Sequence, residues 1–171
     1  MPIAELGHVG IHVNDFEKMR TFYTQTMGLQ ISDEDRERQI CFMSARPGVE
    51  HHEFVIMGGR NTPEGTKMVQ QISFRVDSMD TLRNFHKTFN DLGIKINQEV
   101  SHGNAYGLYF FDPEGNNVEV YLANDLDVQQ PFVKPMDFGA SADEIDAAAA
   151  KHLEDDERYR GPSRAAAYAG K

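Results

Sequence analysis

The chain contains one internal repeat, and a repeat restricts the fold more tightly than composition does, because each copy must be the same supersecondary unit. Residues 7–13, Gly-His-Val-Gly-Ile-His-Val, return 63 positions later as residues 70–76, Gln-Gln-Ile-Ser-Phe-Arg-Val. Both stretches alternate apolar and other side chains with the period of a half-buried strand. An Asp-containing turn follows each, Asn14-Asp15 in the first copy and residues 77–80 in the second. A helix is expected after each turn, over residues 16–27 and 79–92. Phe16, Met19, Phe22 and Tyr23 line one stripe, and Leu82, Phe85, Phe89 and Leu92 the other. Both helices should stop at glycine, Gly28 and Gly93, where a left-handed residue ends a helix and a new strand begins. Further strands are expected at 39–44, 50–57, 105–111 and 117–123, so both halves read β-α-β-β-β.

The modules are bounded at residues 3–58 and 67–125, with a linker at 58–66 dense in turn residues. Residues 1–125 form the main domain. The extension, 126–171, is broken by Pro131, Pro135 and Gly139 before Ser141 and Glu144 make a capping box. A helix should run from about 141 to 158, and the small, polar end from 161 to 171 should be poorly ordered. The pattern leaves open whether the extension packs on the core or on a second subunit.

Composition narrows the function classes. The 171 residues suffice to bury a core without disulfide staples, and the single cysteine, Cys41, excludes a disulfide scaffold. A net charge of −10 argues against a nucleic-acid partner, which calls for a basic face. An apolar leader and an 18-residue apolar run are both missing, which points away from secretion and the membrane and towards the cytoplasm.

Two consecutive β-α-β-β-β units resemble the vicinal oxygen chelate superfamily, which contains glyoxalase I, fosfomycin resistance proteins, methylmalonyl-CoA epimerase and extradiol ring-cleavage dioxygenases. The resemblance covers about residues 3–124 and implies an α+β fold: two tandem modules forming a cupped, pseudo-twofold mixed sheet, with the C-terminal helical tail added. It also implies a divalent metal in the cup, on ligands from the first and last strands of both units, and single-domain relatives that pair into homodimers.

Residues 100–119 are similar to the signature of type I extradiol dioxygenases. That signature needs a His, an apolar residue and Tyr, an Asp-Pro-x-Gly turn and a Glu ligand; His102, Leu108, Tyr109, Asp112, Pro113, Gly115 and Glu119 fill those places. The pair His51-His52 is similar to the active-site His pair of those enzymes. The resemblance therefore implies His8 and Glu119 as metal ligands. It implies His52 as stabiliser of oxygen species, His102 as acid or base, and Tyr109 as hydrogen-bond partner of a substrate oxygen.

Gln71 stands where the family has a second His ligand. Iron could be held less tightly, Gln71 could act from behind the ligands, or another residue could complete the site. Glu53 is the candidate for completion, because residues 53–56 align with 119–122 across the repeat. A set of His8, Glu53, Gln71 and Glu119 resembles glyoxalase I. Strand alternation makes the readings exclusive, since Glu53 and His52 cannot both face inward without a bulge. His12 shares a face with His8 but lies roughly 13 Å along a strand, too far to share an ion. Phe110 and Phe111 read as core.

The leading expectation is a metal-dependent extradiol-type dioxygenase, with Fe(II), acting on a catechol-like small molecule with vicinal oxygens. The alternatives are a glyoxalase-like isomerase, lyase or epimerase using Mn, Ni or Zn, and a non-catalytic small-molecule binding or resistance protein.

Overall fold

The computed structural model describes residues 5–63, 66 and 69–163. Residues 3 and 4, the linker residues 64 and 65, residues 67 and 68 at the expected start of the second module, and 164–171 of the tail lie outside the described residues. The chain divides into two compact units, residues 1–68 with Asp112–Gly115, and residues 69–111 with 116–171.

In the first unit, β1 (Val9–Val13), α1 (Phe16–Thr21), β2 (Gln30–Asp35), β3 (Ile40–Ser44) and β4 (Phe54–Gly58) follow the expected order. The sheet order is β1-β4-β3-β2, with β1 parallel to β4 and the other pairs antiparallel. Alternation places Cys41, Met43, Phe54 and Ile56 on the face that packs with Phe16, Met19, Phe22 and Tyr23, and all eight are buried. Each large apolar side chain removed from water there contributes about 1.5–3 kcal/mol. Asp15 caps α1 by accepting from the Lys18 N–H. The helix expected to reach residue 27 as one α-helix instead widens into a π-helical turn, Phe22–Thr26, in which the consecutive Phe22 and Tyr23 are both buried. The Asp112–Gly115 turn belongs to this unit: the Tyr23 hydroxyl donates to Asp112 at 2.8 Å, and Glu114 Oε1 accepts from the N–H groups of Asn14 and Asp15 at 2.7 and 2.6 Å.

In the second unit, β5 (Ile72–Val76), α2 (Met79–Asp91), β6 (Ile96–Ser101), β7 (Ala105–Phe111) and β8 (Asn117–Ala123) repeat the pattern, with β5 parallel to β8. Leu82 and Phe89 of α2 are fully buried, and the Phe89 ring lies 4.3 Å from Phe110. Leu108, Val118 and Val120 complete that face. Phe111, expected in the core, is 45% exposed, because strict alternation after Phe110 sends it to the other side.

The extension docks on the second unit. Its segments are β9 (Asp127–Val128), β10 (Lys134–Pro135), α3 (Ala142–Leu153) and β11 (Tyr159–Gly161). β10 adds to the sheet beside β6, giving the order β10-β6-β7-β8-β5, and β11 pairs with β9. Phe132, Phe138 and Ile145 anchor it, each at most 1% exposed. The capping box of Ser141 and Glu144 forms as expected. The helix stops at Leu153 and not near 158, since Glu154 to Glu157 would put four acidic residues at its negative end. Gly161, expected in a loose tail, closes β11. Among the described residues no helix is long and apolar enough to cross a membrane.

Candidate functional site

The first unit gathers imidazoles. His8 is exposed, immediately before β1, and its ring lies 4.4 Å from that of His52. His52 packs on Phe42 at 5.1 Å, and its Nδ1 is 2.9 Å from Nδ1 of His51. Burial, then the like charges of His8 and His51, hold the His52 imidazole below its ordinary pKa. His12 is separate, with Nδ1 at 3.1 Å from the Gly58 carbonyl.

β4 begins at Phe54, so residues 51–53 lie outside the strand and the alternation that made His52 and Glu53 exclusive does not govern them. The Glu53 carboxylate accepts from the Ser44 hydroxyl at 3.1 Å, the Ala45 N–H at 2.9 Å and the Arg46 guanidinium at 2.9 and 2.8 Å. Burial opposes its ionisation, but Arg46, Ala45 and Ser44 outweigh that and keep its pKa below the ordinary value. Its oxygens are thus engaged with the 44–46 loop.

The second unit builds a cluster from its strands. Glu119, 5% exposed, stands opposite Ser73 in the parallel pair and opposite Tyr109 in the antiparallel pair. The Ser73 hydroxyl donates to Glu119 Oε2 at 2.6 Å, and Gln71 Nε2 donates to the same oxygen at 3.0 Å. His102 Nε2 is 3.0 Å from the Tyr109 hydroxyl and 3.9 Å from Glu119 Oε1. Burial, then the Glu119 carboxylate, push the Tyr109 phenol above its ordinary pKa. Gly107 makes the approach possible: a Cβ there would sit 2.6 Å from Glu119 Oε1 and 2.9 Å from the Tyr109 ring.

Structure therefore brings His8 and His52 together in one unit, and Gln71, Glu119, Tyr109 and His102 together in the other, while Glu53 is tied to its own loop. Ser73 and Gly107 were not singled out from the sequence. Ser73 carries a signal that would have found it, lying two residues after Gln71 on the same strand face.

Among the described residues no three His, Cys, Asp or Glu side chains form a ready metal cluster. The donor chemistry nonetheless fits a divalent cation once the amide is counted. Glu119 offers a buried anionic oxygen. Gln71, donating through Nε2, keeps its carbonyl oxygen as an acceptor in the same unit.

Known proteins place this geometry in context. The family model described as "Glyoxalase/Bleomycin resistance protein/Dioxygenase superfamily" matches residues 5–120. The chain is 25% identical over 124 residues to biphenyl-2,3-diol 1,2-dioxygenase 2 of Rhodococcus globerulus, a match covering 70% of this chain and 63% of that protein. It is 27% identical over 135 residues to 1,2-dihydroxynaphthalene dioxygenase of Pseudomonas putida, covering 76% of this chain and 42% of that one. The chain thus spans less than two thirds of the length of these curated relatives. A crystal structure of lactoylglutathione lyase from Agrobacterium tumefaciens shares the fold, with a TM-score of 0.56, 16% identity and coverage of 71% of this chain and 96% of that one.

Proposed function

Because the chain belongs to the glyoxalase/bleomycin resistance protein/dioxygenase superfamily, we propose that it is a metal-dependent extradiol-type dioxygenase acting on a catechol-like aromatic. The observation that carries the reading is the His102–Tyr109–Glu119 cluster, in which an imidazole, a buried phenol and a buried carboxylate meet on one strand face.

The donors we assign are Gln71 and Glu119 of the second unit, with Fe(II) as the metal; His8 is a donor on the family resemblance alone. Bound there, a divalent cation supplies Lewis-acid chelation of two adjacent substrate oxygens and a place for O₂. His102 takes or returns a proton at Nε2, a role worth about 10²–10⁴ in rate. Tyr109, held protonated by burial beside Glu119, offers its hydroxyl to a substrate oxygen. Ser73 and Gln71 orient Glu119 by donating to Oε2, leaving Oε1 for the ligand role. His52, kept neutral more readily than an ordinary imidazole, is the residue that would stabilise oxygen species, as the family resemblance implies.

One observation favours a second reading: Gln71 in place of an imidazole gives an oxygen-richer donor set, as suits glyoxalase-type proton transfer with Mn, Ni or Zn. Oxygen uptake decides between them. The protein, loaded anaerobically with Fe(II) and mixed with biphenyl-2,3-diol and simpler catechols, should consume oxygen and yield a ring-opened product. His8→Ala and Glu119→Ala should each lower the iron content. Bound nickel or zinc without oxygen uptake supports the glyoxalase-type reading, and unchanged metal content in both variants removes both.

A further inference from the structure

Residues beyond 120 lie outside the matched family region, yet the extension reaches the imidazole of His102 directly. The Phe132 carbonyl oxygen lies 2.9 Å from His102 Nδ1. Gln130 ties the two residues together at the backbone: its Nε2 donates to the His102 carbonyl at 2.8 Å, and its Oε1 accepts from the Phe132 N–H at 3.0 Å. Val128 closes the same loop from below, where Gly103, at φ +73°, leaves space that a Cβ would fill to within 2.7 Å of the valine. The Phe132 side chain is itself fully buried, with the Arg158 guanidinium 4.7 Å from its ring centre, which anchors the residue against the second unit.

This geometry has a chemical consequence. A carbonyl oxygen only accepts, so His102 Nδ1 must carry a hydrogen. In a neutral imidazole the other nitrogen is then the acceptor, and Nε2 faces the Tyr109 hydroxyl at 3.0 Å. In that tautomer Nε2 is open to accept from the Tyr109 O–H, whose other acceptor is the Glu119 carboxylate. We propose that Gln130 and the Phe132 carbonyl are positioning groups that hold His102 in its Nδ1–H tautomer, with Nε2 presented as the base. The catalytic meaning of this arrangement rests on the function proposed above, but the tautomer is measurable without any turnover.

The test uses the full chain labelled with ¹⁵N-histidine, at a pH about two units above the ordinary imidazole pKa of about 6.5. Long-range ¹H–¹⁵N spectra report the tautomer, with the His102 signals assigned by their loss in His102→Gln. Wild type should show His102 as Nδ1–H. Gln130 is exposed, so Gln130→Ala should keep the wild-type circular dichroism spectrum and show a mixture of tautomers. Gln130→Glu keeps the acceptor for Phe132 but loses the donor to His102, and should behave like Gln130→Ala. In both variants kcat on a catechol should fall by about tenfold to a hundredfold with KM changed less than about twofold. An Nε2–H tautomer in wild type, or unshifted His102 signals in both Gln130 variants, overturns the proposal. The expected tautomers in a protein that turns over no catechol would sink the function proposed above and leave this inference standing.

Discussion

The two units start from the same repeat and arrange their chemistry in different ways. In the first, His8, His51 and His52 lie on segments outside the strands, and the nearby carboxylate, Glu53, is taken up by Ser44, Ala45 and Arg46. In the second, the carboxylate is buried in β8, and its partners stand on β5, β7 and the loop before β7. Glu119, Ser73 and Tyr109 stand on paired strands and are positioned by register, and His102, on a loop, is held by the Phe132 carbonyl; the first unit's His8, His51 and His52 lie on connecting segments without such a register. The difference teaches that a duplicated fold need not duplicate its side-chain arrangement: one copy gathers a buried carboxylate, a phenol and an imidazole across its strands, the other a set of imidazoles on connecting segments.

The largest effect should come from adding one methyl group to each unit. Gly107→Ala drives a Cβ against Glu119 and Tyr109, so activity should fall by about a hundredfold, with about 1–3 kcal/mol of stability lost to overpacking. Gly10→Ala in the first unit meets only Val55 at 3.6 Å and should be nearly silent. Steady-state kinetics and thermal melts of the pair measure the contrast, and equal effects would break the comparison.

A smaller loss is expected at Tyr23, whose hydroxyl donates to the buried Asp112. Tyr23→Phe should destabilise by about 1–3 kcal/mol. That corresponds to a Tm drop of roughly 2–4 °C per kcal/mol for a chain of this size, with kinetic constants little changed. A Tyr23→Phe protein that keeps its Tm would show that the Asp112–Gly115 turn is not held through this bond.

The smallest effect concerns pH. The hydrogen bond from Arg20, helped by its charge and opposed by burial, holds Glu34 below its ordinary pKa. A depressed carboxyl stabilises the fold above its unfolded pKa, and that contribution disappears as pH falls through the folded value. Urea midpoints measured from pH 7 down to about 3 should therefore fall less steeply for Glu34→Gln than for wild type. Because the pair is partly exposed, the difference should not exceed about 1 kcal/mol. Superimposable acid limbs would remove the ion pair from the account.

Local pattern carried much of this into view. The strands at 105–111 and 117–123 and the Ser141 capping box are legible because alternation and capping act over a few residues. Partners fixed by register are harder to read. Ser73 meets Glu119 because β5 pairs in parallel with β8; Gln71, two residues earlier, marks the face Ser73 shares but not the partner strand it meets. The extension has no repeat partner, so its docking through Phe132 and β10 depends on tertiary burial that periodicity does not report. Gly107 reads as one more glycine until Glu119 and Tyr109 are placed beside it.

The central claim is that the second unit's strand cluster serves the insertion of molecular oxygen into a catechol. A single turnover of the iron-loaded protein with biphenyl-2,3-diol under isotope-labelled oxygen tests it most directly. Mass spectrometry of the product should show a ring-opened molecule carrying both atoms of one labelled oxygen molecule, and Tyr109→Phe and His102→Gln should suppress it. Catechol recovered intact and unlabelled from the iron-loaded protein would contradict the account.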